Sequence, residues 1–441
     1  MSVVSCARYE PKPLVAKDVK AALAVPEDQG LRVATGQLRH PVLKPMPLDL
    51  SKPLSPDEVA VLAVIISPEL RAERDRSAVA GAQLLQAGIL PNPQLTAEVG
   101  FTVSSSPPDD HTAYNLGVNW DITSLISHDA KIRAASAEAK SVALDIAWKE
   151  WQTAEAAKLA AYDLLALQAQ RESAEMAEKN LRDNFDTLRR AVERHYRPQT
   201  ELPAAESAYR DAHSALLAID RDIRRQKLAL NRAMGLPAET KIALRSLDHL
   251  PSKLNLPADM GEELEARRLD LLALKKGYES QDATLRAAVL GQFPKINLGF
   301  ASARDTSAVN TVGPSVGIDI PLFDRNQGQI AIEKATRQKL FDEYIERVFT
   351  ARADIARALG DIDSSNRVIA DADQAIVSLE KVVSTAEKTM REQNTDVLSY
   401  YSARTSLVQK RIEALKLRQE LVQNWIALEI ASGRYLPMEA K

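Results

Sequence analysis

Two segments set far apart in this chain repeat one plan, a pair of alternating strands that runs into a very long helix. The first reads Leu95–Ser104, then Tyr114–Thr123, then helix; the second reads Lys295–Ala303, then Ser315–Ile320, then helix. Between Val118 and Met234 there is no glycine, and the only prolines are Pro198 and Pro203. Between Gln329 and Ser432 there is no proline, and Gly360 is the only glycine. Helices that long, each fed by a two-strand ribbon, exclude most globular folds.

The strand signal is a period of two with one apolar face. Leu95, Ala97, Val99, Phe101 and Val103 alternate with Thr96, Glu98, Gly100, Thr102 and Ser104, and Leu116, Val118, Trp120 and Ile122 alternate with Asn115, Gly117, Asn119 and Asp121. The second unit places Ile296, Leu298 and Phe300 against Asn297 and Gly299, and Val316, Ile318 and Ile320 against Gly317 and Asp319. Such strands suit either a half-buried hairpin on a soluble core or a transmembrane barrel. The chain has few other apolar strands to complete a sandwich, and the loops Ser105–His111 and Arg304–Gly313 are polar. Four strands cannot close a barrel, and an open edge in lipid leaves backbone groups without partners. Several copies are then required, and three would supply twelve strands.

The helical reading runs from about Ser127 to about Arg197, a span that reaches on the order of 100 Å at ~1.5 Å per residue. The chain turns around Pro198 and Pro203, which break the hydrogen-bond ladder, and returns to Met234, where Gly235-Leu236-Pro237 ends the helix. A second hairpin runs from Gln329 to Met390, turns near Glu392–Thr395 and ends near Gly433. Shorter helical stretches, Ser55–Gly88 and Gly261–Leu290, precede the strand pairs. The expected organisation is an extended segment at 1–54, a first repeat at 55–250, a second at 251–436 within the same structural domain, and a tail at 437–441. A long antiparallel coiled coil serving as a soluble scaffold or adaptor is the competing architecture.

Composition narrows the function. Near-equal acids and bases, with a formal charge of −3, argue against nucleic-acid binding, which calls for a basic excess. The one cysteine, Cys6, excludes an intrachain disulfide and a cysteine zinc cluster. The longest apolar run, Val59–Ile66, is far short of the ~20 residues of a spanning helix, so any membrane crossing is by strands. Val3-Val4-Ser5-Cys6 has the shape of a lipobox, without the charged start and apolar stretch of a lipoprotein signal. Two readings stand: a truncated start with Cys6 lipidated, or a bare thiol in an N-terminal tail. Arg8–Pro56, rich in proline and polar residues, reads as extended.

In this order and spacing the residues resemble the TolC family of outer-membrane efflux ducts from about Ser55 to Gly433. The carriers are Gly88-Ile89-Leu90-Pro91-Asn92-Pro93, Phe293-Pro294-Lys295-Ile296, Val316-Gly317-Ile318-Asp319-Ile320-Pro321-Leu322-Phe323-Asp324 and Thr395-Asp396-Val397-Leu398. The stretch Pro321–Ala331 is similar to the cobalt-zinc-cadmium (CzcC-like) subgroup that serves heavy-metal resistance. The resemblance implies a mainly α fold with a β-barrel part. It implies a homotrimer with a twelve-stranded barrel in outer-membrane lipid of a Gram-negative bacterium, and a periplasmic α-helical barrel. It further implies a periplasmic adaptor (membrane fusion) protein and an inner-membrane RND-type pump as partners. Thr123-Ser124-Leu125 stands where the second unit has Pro321-Leu322-Phe323, so the first strand-to-helix passage is expected to be less sharply fixed.

There is no phosphate-cradling loop, His-Glu-x-x-His or EF-hand, and no cofactor, metal site or catalytic residue is expected. Ser127-His128-Asp129 reads as a helix cap, and His195 and His213 read as solitary exposed positions. The polar strand face of Glu98, Asn115, Asn119, Asp121, Asn297 and Asp319 is expected to line a water-filled lumen, where carboxylates attract cations. Asp396 matches the family's acidic position at the second tip, and Glu392, Tyr400 and Arg404 join it by proximity as gate residues. Gln199, Thr200 and Glu201 at the first tip are expected to meet the adaptor. The expected function is a passive exit duct for metal cations or small toxic compounds, not an enzyme.

Overall fold

The computed structural model describes residues 8–24, 28–101, 103, 112–246, 250–251, 260–391 and 397–436. The elements in chain order are α1 (Ala16–Ala22), α2 (Asp28–Gly36), α3 (Pro56–Ile66), α4 (Pro68–Ala87), β1 (Gln94–Gly100), β2 (Ala113–Asp121), α5 (Thr123–Glu193), α6 (Leu202–Met234), α7 (Leu264–Arg267), α8 (Leu269–Leu290), β3 (Lys295–Arg304), β4 (Asn310–Asp319), α9 (Gln327–Arg391) and α10 (Val397–Ser432). α5 is a single helix of 71 residues and α9 one of 65. Among the described residues no helix is long and apolar enough to cross a membrane.

Compactness divides the chain into two units that cut across the sequence repeats. One gathers Met1–Ala72, Lys149–Glu262 and Arg352–Lys441; the other gathers Glu73–Trp148 and Glu263–Ala351. Each therefore draws on both repeats, and α5 and α9 each pass from one unit into the other.

In the first unit the apolar run is a core helix. Ser55 starts α3 with a capping box: its hydroxyl accepts from Glu58 N–H at 3.3 Å, and the Glu58 carboxylate accepts from Ser55 N–H at 2.7 Å, satisfying two otherwise unpaired donors. Val59, Leu62 and Ala63 are buried with Ala157, Ala161 and Leu164 of α5 and with Ile219, Ile223 and Leu230 of α6. The segment before α3 is not simply extended. It contains α1 and α2, and Leu31, Leu48 and Leu54 are buried in this same core. The Thr35 hydroxyl donates to Leu31 C=O and accepts from Leu48 N–H. Those apolar residues, thinly spread among prolines, dock the segment.

In the second unit β1-β2-β3-β4 form one antiparallel sheet in that order. The pairing of β1 with β2 ends at Gly100↔Ala113, so β1 is shorter than the alternation predicts. β4 begins at Asn310 rather than near Ser315, because half of the expected loop Arg304–Gly313 is strand. Its turn is Asp305–Val309, where the Asp305 carboxylate accepts from Ser307 and Val309 N–H at 2.9 Å each and Ala308 takes φ 66°. Pro314 is tolerated because β4 is an edge strand.

The helix ends also depart from the sequence reading. α5 starts four residues early, at Thr123, because the Asp121 carboxylate accepts from Thr123 and Ser124 N–H at 2.9 and 3.3 Å. Ser127 is not the cap; its hydroxyl donates to Ser124 C=O, and Asp129 pairs with Arg133. The first passage is thus firmly fixed, and the Thr123 hydroxyl also accepts from Ile296 N–H on β3 at 2.5 Å. Pro203 lies in the first turn of α6, where no backbone donor is lost, so it does not break that helix.

α6 ends in a Schellman arrangement, with Leu236 N–H donating to Asn231 C=O and Gly235 N–H to Arg232 C=O. Gly235 has φ 75°, and a Cβ there would lie 2.5 Å from Cδ of Pro68. Gly235→Ala is expected to lower stability by more than ~1 kcal/mol, from positive φ alone, plus the clash with Pro68. A thermal melt of the purified protein checks this, and an unchanged midpoint contradicts it.

Candidate channel sheet and hairpin tips

The register sorts the sheet residues onto two faces. On one face Leu95 lies opposite Val118, Val118 opposite Phe300, and Phe300 opposite Pro314. The rows on either side continue it with Leu116 and Val312, and with Trp120, Leu298 and Val316. Leu95, Val118, Phe300, Val312, Val316 and Ile318 are all exposed, Phe300 at 57%. A contiguous exposed apolar face of this kind marks a surface that meets another protein or a membrane. Trp120 anchors its rim: the indole N–H donates to Pro91 C=O at 2.8 Å, which gives the Gly88–Pro93 segment a structural role.

The opposite face brings together all six expected lumen residues. Asn115 donates to the Glu98 carboxylate at 3.4 Å, and Asn119 accepts from the Ser315 hydroxyl at 3.4 Å. Asp121 pairs across to Asn297, and Asp319 to Lys295. The Asp121 carboxylate, however, is turned to the start of α5, where it caps the helix. Between Asn119 and Ser315 lies Gly299, at which a Cβ would stand 2.1 Å from Oδ1 of Asn119 and 2.6 Å from Oγ of Ser315. Glycine there is what lets two polar side chains meet across a third strand.

At the first hairpin tip α5 ends with His195 at φ 59°; Tyr196 N–H donates to Ala191 C=O and His195 N–H to Val192 C=O. Gln199–Glu201 form one 3-10 turn. Gln199 and Thr200 are exposed, whereas Glu201 is half-buried and its Oε1 lies 3.6 Å from Arg197. Tyr196, 77% exposed, is a tip residue that the sequence reading missed; its place just beyond the last helical turn was the available signal.

Of the expected gate residues, Asp396 and Glu392 lie outside the described residues, as does Cys6. Tyr400 and Arg404 are resolved, and they brace the helices. Tyr400 is only 2% exposed, buried with Leu181, Ala205, Ala208, Val383 and Leu407 from α5, α6, α9 and α10. Its hydroxyl accepts from Arg404 at 2.8 Å and from Asn184 at 3.5 Å. Tyr401 packs edge-on against it at 5.2 Å, and burial, with Tyr400 beside it, pushes the Tyr401 phenol up to about 12. Arg404 also lines a cleft of ≈ 530 Å³ with Glu172, Met176, Glu380 and Arg411. His213 is not solitary: its Nδ1 lies 3.3 Å from the Glu178 carboxylate, and Tyr209 stacks on Phe185 beside it.

Among the described residues no group of acidic, histidine or cysteine side chains could hold a metal. The sheet has one apolar and one polar face, and the hairpin helices are tied to one another near their tips.

Comparison with known proteins agrees. The family model described as outer membrane efflux protein matches residues 60–236 and 260–434. The pyoverdine export outer membrane protein OpmQ of Pseudomonas aeruginosa is 22% identical over 407 residues, covering 86% of this chain and 84% of OpmQ. The cation efflux system protein CusC of Escherichia coli is 25% identical over 190 residues, 41% of this chain and 42% of that protein. In fold, a crystal structure of CusC superposes with a TM-score of 0.74 at 17% identity, covering 91% of this chain and 99% of CusC. With both halves of the chain matched and the same helix-and-strand architecture, this protein belongs to the outer membrane efflux protein family.

Proposed function

We propose that three copies of this chain close their sheets into a twelve-stranded barrel in the outer membrane and form the exit duct of a tripartite efflux system. The observation that carries this reading is the sheet itself, whose exposed apolar face ends at two edge strands, β1 and β4. In hydrocarbon each unpaired backbone group costs several kcal/mol, so strands there must close. Because the four strands are antiparallel throughout, β4 of one copy meets β1 of the next in antiparallel register, and the ring closes without a mismatch. Three copies is the count that the family resemblance supports.

The polar face then lines the water path, with Glu98 and Asp319 supplying negative charge and Asp121 holding the start of α5. The hairpin tips are the place of control. Asp396 and Glu392 form the constriction, Tyr400 and Arg404 hold the second hairpin in place, and Gln199, Thr200 and Glu201 meet a periplasmic adaptor. An inner-membrane RND-type pump supplies direction and energy. The cargo is metal cations or small toxic compounds; relatives named for cation efflux and for pyoverdine export support a duct whose partner pump selects the cargo.

A soluble scaffold would tolerate charge on the apolar face, and a barrel would not. Val118→Lys and Ile318→Lys are each expected to cost ~2–4 kcal/mol if they lie near the bilayer midplane, and to abolish the heat-modifiable oligomer on electrophoresis. Gly117→Ser on the polar face, where a Cβ meets only Ala301 at 3.8 Å and other ordinary contacts, is expected to assemble. Normal assembly of both lysine variants contradicts the barrel.

For the gate, Asp396→Ala is expected to raise passive entry of bulky antibiotics in cells making the protein. Equal uptake at equal expression removes Asp396 from that role. Arg404→Ala and Tyr400→Phe, combined in a double-mutant cycle of thermal stability, are expected to couple by ~1–3 kcal/mol, as for a charge-assisted hydrogen bond to a buried group.

A further inference from the structure

Within the first unit one lysine sits among three carboxylates. Lys158 of α5 is 1% exposed, and its ammonium lies 2.8 Å from Glu429 of α10, 3.4 Å from Asp57 of α3 and 4.0 Å from Glu155 one turn back on α5. The cluster also holds the chain just beyond α10. Leu436 N–H donates to Oε1 of Glu429 at 2.6 Å, the Tyr435 hydroxyl donates to Asp57 at 3.0 Å, and the Lys158 ammonium sits 4.9 Å over the Tyr435 ring. Among the described residues the Tyr162 phenol and Lys44 also face it, Lys44 lining a small cavity with Asp57, Glu155 and Tyr435.

Glu155 and Glu429 are both buried beside one buried ammonium, and two ionised carboxylates there would leave uncompensated negative charge, which is strongly unfavourable. One proton is therefore retained, and the contacts say where. Glu429 has the shortest ion pair and a backbone donor. Asp57 has the tyrosine hydroxyl on Oδ2; its Oδ1 has no hydrogen bond but lies 3.4 Å from the ammonium, and the side chain is about one-third exposed. Glu155 is 1% exposed, is farthest from the ammonium, and has an Oε2 with no hydrogen-bond partner.

We propose that Glu155 is held as a neutral carboxylic acid, making this cluster a proton-dependent clamp on Tyr435 and Leu436. Glu155 is a positioning residue: kept neutral, it leaves the Lys158 ammonium to Glu429, which in turn holds the Leu436 amide. Its electrostatics agree, since burial and then Glu429 push Glu155 well above the ordinary carboxyl range, against the pull of Lys158. Burial likewise raises Glu429, opposed by Lys158. For Lys158 burial works against the charge, but the surrounding carboxylates outweigh it and raise the ammonium. Folding therefore retains a proton on Glu155 that the unfolded chain releases near pH ~4.3. That contribution to stability is complete below the unfolded value and is lost as pH rises through the raised folded value.

Glu155→Gln, which copies the neutral acid, tests this in the full-length detergent-purified protein. In the wild type, hydrogen exchange at Leu436, corrected for intrinsic rates, should lose protection by about tenfold or more as pH is raised from the ordinary carboxyl range through the folded-state titration of Glu155, a factor of ten for each unit of proton linkage. In Glu155→Gln it should stay constant. The infrared carbonyl band of a protonated carboxylic acid should be present in the wild type near neutral pH and absent from the variant. A wild type with neither that band nor the loss of protection overturns the proposal, and so does a variant that keeps the wild-type pH dependence. If the variant does not fold, the two wild-type measurements decide.

Discussion

Backbone hydrogen bonding in lipid is the constraint on which the rest of this structure depends. A strand in water can leave an edge open, because water pairs with its N–H and C=O groups; hydrocarbon cannot. The four-stranded sheet ends at two edge strands, β1 and β4, and carries an exposed apolar face. On the proposed reading that face meets lipid, and lipid then asks for closure by other copies.

The helices answer a different requirement. With few aromatic residues, large parts of the helix packing rest on alanine, as where Ala157 and Ala161 of α5 meet α3 and α6 in the core of the first unit. At the tips the packing changes character. Tyr400, Tyr401, Phe185 and Tyr209 bring in rings, and Arg404 and Asn184 satisfy a buried hydroxyl. Rings and charge-assisted bonds fix side chains more tightly than alanine contacts do, which suits a region where position matters more than length.

The strands and long helices were legible because their periods are uninterrupted: Leu116, Val118 and Trp120 alternate cleanly, and neither hairpin contains an internal glycine–proline break. The polar face was legible for the same reason, since a period of two places Glu98, Asn115, Asn119 and Asn297 together. Boundaries were not. Asp121 was read as a strand residue, yet its carboxylate starts α5, and only the fold shows which of several neighbouring polar side chains reaches the free N–H groups. The N-terminal segment was read as extended because its leucines are too sparse for a pattern, although Leu31 and Leu48 are buried. Tyr400 was read by its polar hydroxyl and turned out to be packed by its ring.

The buried charges were the least legible feature. Glu155 and Lys158 are three apart on a helix, the spacing of an ordinary solvated pair, and Glu429 lies 271 residues from Lys158 in sequence. No local pattern distinguishes a charged residue facing water from one facing another helix.

Closure of the sheet between copies is the central claim, and disulfide trapping tests it most directly. In a chain with Cys6 replaced, a cysteine at Thr96 on β1 is combined in turn with one at Thr311, Gly313, Ser315 or Gly317 on β4, in membranes. The account predicts that at least one pair oxidises to a covalent trimer, with dimers as the partly bridged product. Only monomers or only dimers across the whole series, despite normal insertion, would contradict it.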